Sequence, residues 1–246
     1  MGPLLLQQGH FDCFDIFIFI MAASLRIGDY IVNRNISQRL GRGQFGEVWK
    51  GQNTTNNKEC AVKEITRPED KSFHKYIDQE LAILKETSHP NITELYHSEW
   101  KGNVLYMFME FCEDGDLDKY VETNKEFSED VLLSFMQGCA DAINYLHNRN
   151  PPVVHRDLKP GNILVKTVNH IPTVKITDLG FSCFVTKDFS TVCGTPYYMA
   201  PEVMPDKDGN VKYNLPADIF SLGLVFHSMV THKSGQKLTP IKGTVA

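Results

Sequence analysis

Residues 155–162 read His155-Arg156-Asp157-Leu158-Lys159-Pro160-Gly161-Asn162, which places a carboxylate, a cation and a carboxamide in one short stretch. Those types suit phosphoryl transfer, which asks little covalent chemistry of a protein and much positioning and charge neutralisation. Asp157 can orient an attacking hydroxyl and accept its proton, and Lys159 can offset the charge of the group being moved. Asn162 offers a neutral oxygen to Mg²⁺, a hard cation that keeps some of its waters. Pro160 fixes φ and removes a donor, so the segment is predicted as a shaped loop, followed by a short strand at Ile163-Leu164-Val165. Taken alone, the octapeptide reads better as a charged surface turn. Two further clusters decide against that.

The octapeptide resembles the catalytic loop of the eukaryotic protein kinases. The resemblance implies an α+β, bilobal fold: a small antiparallel-sheet lobe with one helix, then a mainly helical lobe. It implies ATP and Mg²⁺ as cofactors and protein hydroxyls as substrates, with Asp157, Lys159, Lys63 and Glu80 as the catalytic set. Lys159 together with Thr195 resembles the serine/threonine-specific branch.

The first supporting cluster is Leu40-Gly41-Arg42-Gly43-Gln44-Phe45-Gly46-Glu47-Val48. Glycines let backbone N–H groups approach phosphate oxygens without a Cβ in the way. A dinucleotide-binding unit needs a helix opening inside the glycine run. Here Glu47-Val48-Trp49-Lys50-Gly51 continues as a strand into the polar turn 53–57, so a hairpin is predicted. The resemblance puts Leu40, Gly41, Gly43, Gly46 and Val48 at the nucleotide.

The second cluster begins with the strand Cys60-Ala61-Val62-Lys63-Glu64-Ile65, where period-two alternation sets Ala61 and Lys63 on one face. Further on, Phe73, Ile77, Leu81 and Leu84 recur at helical spacing, with Glu80 on the edge of the apolar face. A carboxylate turned inward is costly unless paired. Lys63 is its expected partner, as the family implies. Val104–Cys112 reads as a long buried strand running into a polar turn. By resemblance, Met109 backs the adenine, Glu110 and Cys112 bond its edge through the backbone, and Leu164 packs near it. Asp116 matches a ribose-contacting position and reads equally as an acidic residue at a helix N-terminus.

An apolar stripe from Ser128 to His147 predicts a long helix beneath the loop. Val174–Thr177 is a predicted strand leading to Asp178-Leu179-Gly180, where the resemblance makes Asp178 and Asn162 the Mg²⁺ ligands. Residues 181–199 match an activation segment carrying Thr186, Ser190 and Thr191, whose phosphates Arg156 is placed to receive. Phosphorylation by an upstream kinase or by the chain itself is the implied control. Asp218 is expected to brace the catalytic-loop backbone. Gly161 lacks the acidic side chain that favours basic substrates. Phe111–Asp116, and Cys193–Thr195 with Ala217–Phe220, resemble a small group of actin-associated nuclear kinases.

With 246 residues, 42% apolar and 22% charged, the chain can bury a real core. A net charge of −5 argues against nucleic-acid binding through a general basic surface. Six cysteines, Cys13, Cys60, Cys112, Cys139, Cys183 and Cys193, show neither metal-site nor disulfide spacing. A reducing intracellular setting, cytoplasmic or nuclear, is expected. Ile16–Ala23 is apolar but far short of the roughly 20 residues a bilayer needs, so no stable membrane insertion is expected. The expected divisions are an extension over 1–27 outside the fold, a first lobe over 28–112 and a second over 113–246. The second lobe is expected to be truncated after its central helix, and a non-catalytic nucleotide-binding or scaffolding module is the alternative reading on that ground.

Overall fold

Short β-prone runs separated by polar turns dominate the first half of the chain, and in the computed structural model they become strands. Residues 24–43, 46–124, 128–184, 194–203 and 213–232 are described. The strands are β1 (Ser24–Ile27), β2 (Tyr30–Asn33), β3 (Arg39–Gly43), β4 (Gly46–Asn53) and β5 (Glu59–Thr66). Helix α1 (His74–Lys85) follows, then β6 (Leu95–Lys101) and β7 (Val104–Glu110). The second half carries α2 (Leu117–Thr123), α3 (Glu129–His147), β8 (Val153–Val154), β9 (Ile163–Val168), β10 (Ile171–Ile176), β11 (Cys183–Phe184) and α4 (Leu215–Thr231).

The chain divides into two compact units. The first comprises the residues up to Arg67 together with Tyr96–Phe111, and the second comprises Pro68–Leu95 and the residues from Cys112 onward. Helix α1 therefore groups with the second unit, whereas the expected first lobe included it.

In the first unit the sheet runs β1-β2-β4-β5-β7-β6, with β3 paired to the far end of β4. The β4–β5–β7 centre is antiparallel, with Val48 opposite Lys63 and Ala61 opposite Met109. On one face Ile27, Val32, Trp49, Cys60, Val62, Tyr106 and Phe108 form the core. Burying an aliphatic side chain of this kind contributes about 1.5–3 kcal/mol. The expected boundary at residue 28 is corrected here. Ser24–Ile27 already pairs with β2, and Ile27 is only 2% exposed. A four-residue strand closed by a tight turn at Gly28, φ +51°, is too short for periodicity to register.

In the second unit, Ser128 caps α3 by accepting from Val131 N at 3.3 Å, and Glu129 and Asp130 lie in its first turn, both favourable to a helix N-terminus. Phe135, Cys139, Ala142, Ile143 and Leu146 are buried along one stripe. α3 packs closely on β10: a Cβ at Gly138 would meet Val174 Cγ2 at 2.8 Å. α4 opens with Pro216 in its first turn and buries Ala217, Asp218, Leu222, Val225 and Met229. No described helix is long and apolar enough to cross a membrane. Sheet first and helices after is the expected α+β arrangement.

Candidate active site

The catalytic loop is built outward from a buried carboxylate. Asp218 on α4 is fully buried, and its Oδ2 accepts from His155 N at 2.8 Å while Oδ1 accepts from Arg156 N at 3.0 Å. A third donor, His147 Nε2 at the end of α3, reaches Oδ2 at 2.8 Å. A buried charge is tolerated only when its lone pairs are met, and here three donors meet them. The amide bonds hold Arg156 at φ +71°, a left-handed conformation that a non-glycine residue adopts only under constraint. His155 donates from Nε2 to Thr177 O at 3.1 Å and accepts from Asp157 N on Nδ1 at 3.3 Å. The loop is thereby tied to the end of β10.

Asp157 sits in the hydrogen-bonded centre that results, its side chain 4% exposed. Lys159 Nζ donates to Asp157 Oδ2 at 2.8 Å and to Thr195 Oγ1 at 2.9 Å. Thr195 Oγ1 in turn donates to Asp157 Oδ1 at 2.7 Å. Asn162 spends both amide protons on Asp157, one on the backbone carbonyl at 2.8 Å and one on Oδ2 at 2.9 Å. That leaves its Oδ1 as an acceptor for something else. Four predicted site residues, Asp157, Lys159, Asn162 and Thr195, thus come together, although Thr195 lies far along the chain.

Thr195 reaches the loop because Gly194 lets it. Gly194 has φ +109°, and a Cβ there would stand 2.5 Å from Arg156 O. Only glycine fits that approach without displacement.

Asp178 is left-handed at φ +58°, ψ +68°, directly before a short 3₁₀ turn at Leu179–Phe181. Leu179 is fully buried, in keeping with a packing role. A Cβ at Gly180 would meet Asp178 Oδ1 and Glu80 Oε2, each at 3.2 Å. The Glu80 carboxylate, 1% exposed on α1, therefore lies beside the Asp178 turn. Thr177 N donates to Asn162 O at 3.0 Å, which brings Asp178 next in chain to the Asn162 segment. For Mg²⁺ the donor set fits: one carboxylate and one carboxamide oxygen, leaving room for waters and phosphate oxygens.

Asp116 caps α2, accepting from Lys119 N at 2.9 Å and pairing with Lys119 Nζ at 3.1 Å. It also bridges Leu164 on β9 through the backbone. Cys112 is buried. Arg156 is 5% exposed, with Nη1 3.4 Å from Cys183 Sγ and its guanidinium 5.0 Å from the Tyr213 ring centroid. Thr186, Ser190 and Thr191 lie outside the described residues.

The remaining predicted residues belong to the first unit. Gly41, Gly43 and Gly46 stand in the β3–β4 hairpin, with Gly43 opposite Gly46 and a register shift between Arg39 and Gly41 that sets Leu40, 40% exposed, out of the ladder. The expectation of a strand after Gly46, and not a helix, holds. Val48 is half-buried on β4, while Ala61 and Lys63 on β5 and Met109 and Glu110 on β7 are buried. Lys63 is 8% exposed, an uncommon state for a lysine and one that a solvated strand residue would not show.

Sequence reasoning missed His147 and Gly194. The signal for His147 was its place in the last turn of α3, close in sequence to the loop. Gly194 was visible only as part of a motif.

Similarity to known proteins agrees with the geometry. The protein kinase domain family matches residues 34–239. A serine/threonine-protein kinase atg1 of Dictyostelium discoideum is 39% identical over 215 residues, covering 83% of this chain and 30% of that protein. Serine/threonine-protein kinase ULK1 of Homo sapiens is 36% identical over 205 residues, 79% of this chain and 19% of that protein. Mitogen-activated protein kinase kinase kinase 3 of Arabidopsis thaliana is 37% identical over 201 residues, 79% of this chain and 32% of that protein. This chain belongs to the protein kinase family, and two of these three relatives bear the name serine/threonine-protein kinase. It spans about a third or less of their length. None of the three bears the name of the actin-associated nuclear group that Phe111–Asp116, and Cys193–Thr195 with Ala217–Phe220, resemble.

Proposed function

We propose that the chain transfers the γ-phosphate of ATP to serine and threonine hydroxyls of proteins. The observation that carries this reading is the Asp157 carboxylate held by Lys159, Thr195 and Asn162. The acceptor hydroxyl is oriented by Asp157, its oxygen bonds to the γ-phosphorus, and its proton passes to Asp157. The bond from the γ-phosphorus to the β-γ bridging oxygen breaks, and ADP leaves. Lys159 neutralises charge on the transferring group. Lys63 engages the nucleotide phosphates, and the glycine hairpin covers them. Leu40, Val48, Ala61, Met109 and Leu164 take the adenine, with backbone groups of Glu110 and Cys112 at its edge and Asp116 at the ribose. When bound, Mg²⁺ offsets phosphate charge, and Asn162 and Asp178 would hold it.

Control by phosphorylation of Thr186, Ser190 or Thr191 belongs to the same reading. A phosphate there would compete for the Arg156 guanidinium now set against Cys183 and Tyr213. Protein substrates and an upstream kinase are the implied partners. Cys60, Cys112, Cys139 and Cys183 are buried and not in disulfides, which supports a reducing, intracellular setting.

The test is phosphoamino-acid analysis of a generic basic protein incubated with γ-labelled ATP and Mg²⁺. Label on serine and threonine alone is expected. Label on tyrosine would overturn the branch assignment, and ATP binding without transfer would favour a nucleotide-binding module.

A further inference from the structure

A cleft of about 540 Å³ lies within the second unit, between the turn at residues 89–91 and α3. None of the residues that line it takes part in the proposed phosphoryl transfer. Asp141, Asn144 and Tyr145 stand three and four residues apart on α3, so one face of the helix carries them. Both walls are fixed. Asn91 donates from Nδ2 to Val174 O at 3.0 Å and accepts from Ile176 N on its carbonyl at 2.8 Å. A Cβ on Gly138 of α3 would stand 2.7 Å from that Nδ2. Tyr145 Oη accepts from Ser88 N at 3.2 Å, and its ring lies 5.0 Å from that of His89 at 32°. A site with walls held in this way gives up little conformational freedom when it is filled.

The unused hydrogen-bonding groups define what would fill it. Asp141 receives one bond, from the neutral donor Gln137 Nε2 at 2.8 Å, and no cation pairs with it among the described residues. Arg149, also in the lining, is already answered by Glu86 at 2.7 Å. Asn91 keeps Oδ1 as an acceptor, and Asn144, whose Oδ1 takes a proton from Asn148, keeps its own amide protons. His89 accepts from Asn91 N on Nδ1 at 3.1 Å, which leaves its proton on Nε2 as a donor. Burial, with Lys175 nearby, lowers the His89 pKa and keeps the ring neutral at pH 7, against the pull of Asp141. A carboxylate and a carboxamide oxygen beside two aromatic rings suit a guanidinium. It is planar, always charged and able to stack on a ring while its fork of donors meets oxygens. The two donors, on His89 and Asn144, suit the backbone carbonyls of the chain that carries it.

We propose that this cleft is a docking site for an arginine side chain of a partner protein, with Asp141 as its ion-pair partner and the Tyr145 ring as its stacking face. The volume lies in the range of ligand-binding clefts, about 300–1,000 Å³, and leaves space for the backbone on either side of the arginine. The site stands independently of the kinase reading, because its recognition chemistry uses none of the groups assigned to phosphoryl transfer.

The experiment titrates the ¹⁵N-labelled chain with the N-acetyl methylamides of arginine, citrulline and glutamate and with free arginine, followed by heteronuclear NMR at low salt. Assigned shifts of α3 and of residues 88–91 locate the binding. Blocked arginine should give saturable shifts there and bind about 2- to 5-fold more tightly than blocked citrulline, which has the shape without the charge. Asp141 is exposed, and Asp141→Asn keeps an acceptor for Gln137, so that variant should fold and weaken blocked arginine about 2- to 5-fold, the scale of one partly screened ion pair. Tyr145→Leu should weaken it by a similar factor through the lost ring, and each variant's own spectrum reports whether it is folded. Absence of saturable shifts in the cleft, shifts that map elsewhere, equal binding of citrulline, tighter binding of blocked glutamate, or an Asp141→Asn titration that matches the wild type overturns the proposal. Free arginine bound more tightly than blocked arginine would make the occupant a small molecule and overturn the assignment to a partner protein.

Discussion

The roles of single residues follow from their hydrogen bonds. Asp157→Ala removes the group proposed to take the proton and should lower kcat about 10²- to 10⁴-fold while leaving ATP affinity near wild type. Rate and affinity falling together would instead point to a nucleotide-binding role. Thr195→Ala deletes one donor to Asp157 and one acceptor of Lys159, so kcat should fall with little change in KM for ATP, measured by initial rates. Thiol chemistry gives an independent check on packing. Burial pushes the Cys139 thiol up to about 12, and burial with Glu59 nearby pushes Cys60 up to about 11. A thiol whose pKa lies that high is almost wholly protonated at pH 8, so neither cysteine should alkylate in the native protein, read by peptide mass spectrometry. Burial raises the pKa of Asp118 on α2, so the folded state binds more protons and this carboxylate costs stability as pH rises through its folded pKa. Asp118→Asn should therefore not lower the melting temperature at pH 7. Asp157, Lys159, Asn162 and Asp178 were legible because their types and spacing are set by chemistry. The dual use of Asp116 as a helix cap was legible only as one of two readings, since one carboxylate suits either.

At the scale of elements, two joints set the catalytic loop: α4 through Asp218, and the Gly194 turn. Asp218→Ala would strand two loop amides and the His147 donor in the interior, a loss of about 3–5 kcal/mol on the scale of broken buried charge contacts. Denaturant unfolding should show it, and Asp218→Asn, which keeps the shape and one acceptor, should recover part. Gly194→Ala should cost activity out of proportion to stability, because a Cβ would press on Arg156 O and move Thr195 away from Asp157. Circular dichroism beside initial rates would separate the two effects. Elements with long periodic patterns, α3 above all, were readable from spacing. β1 was not, for it is four residues long and owes its place to pairing with β2 and to the buried Ile27. The two-residue pairing of β8 with β11 was equally silent, since Cys183–Phe184 meets Val153–Val154 only through tertiary contact.

For the whole molecule, the sheet-then-helix order was legible, because the switch from period-two runs to helical stripes falls near residue 112. The grouping of Pro68–Leu95 with the second unit was not, because helix spacing says which face is apolar and not what will cover it. The proposed reaction moves phosphate from ATP to a protein hydroxyl with Asp157 as base. The most direct measurement is ³²P transfer from γ-labelled ATP with Mg²⁺ to a generic basic protein, with Asp157→Ala run in parallel and both proteins shown to be folded. Transfer by the wild type, lost in the variant and abolished by EDTA, is the predicted result. A folded wild type that transfers nothing, or a variant that transfers as well as the wild type, would contradict it.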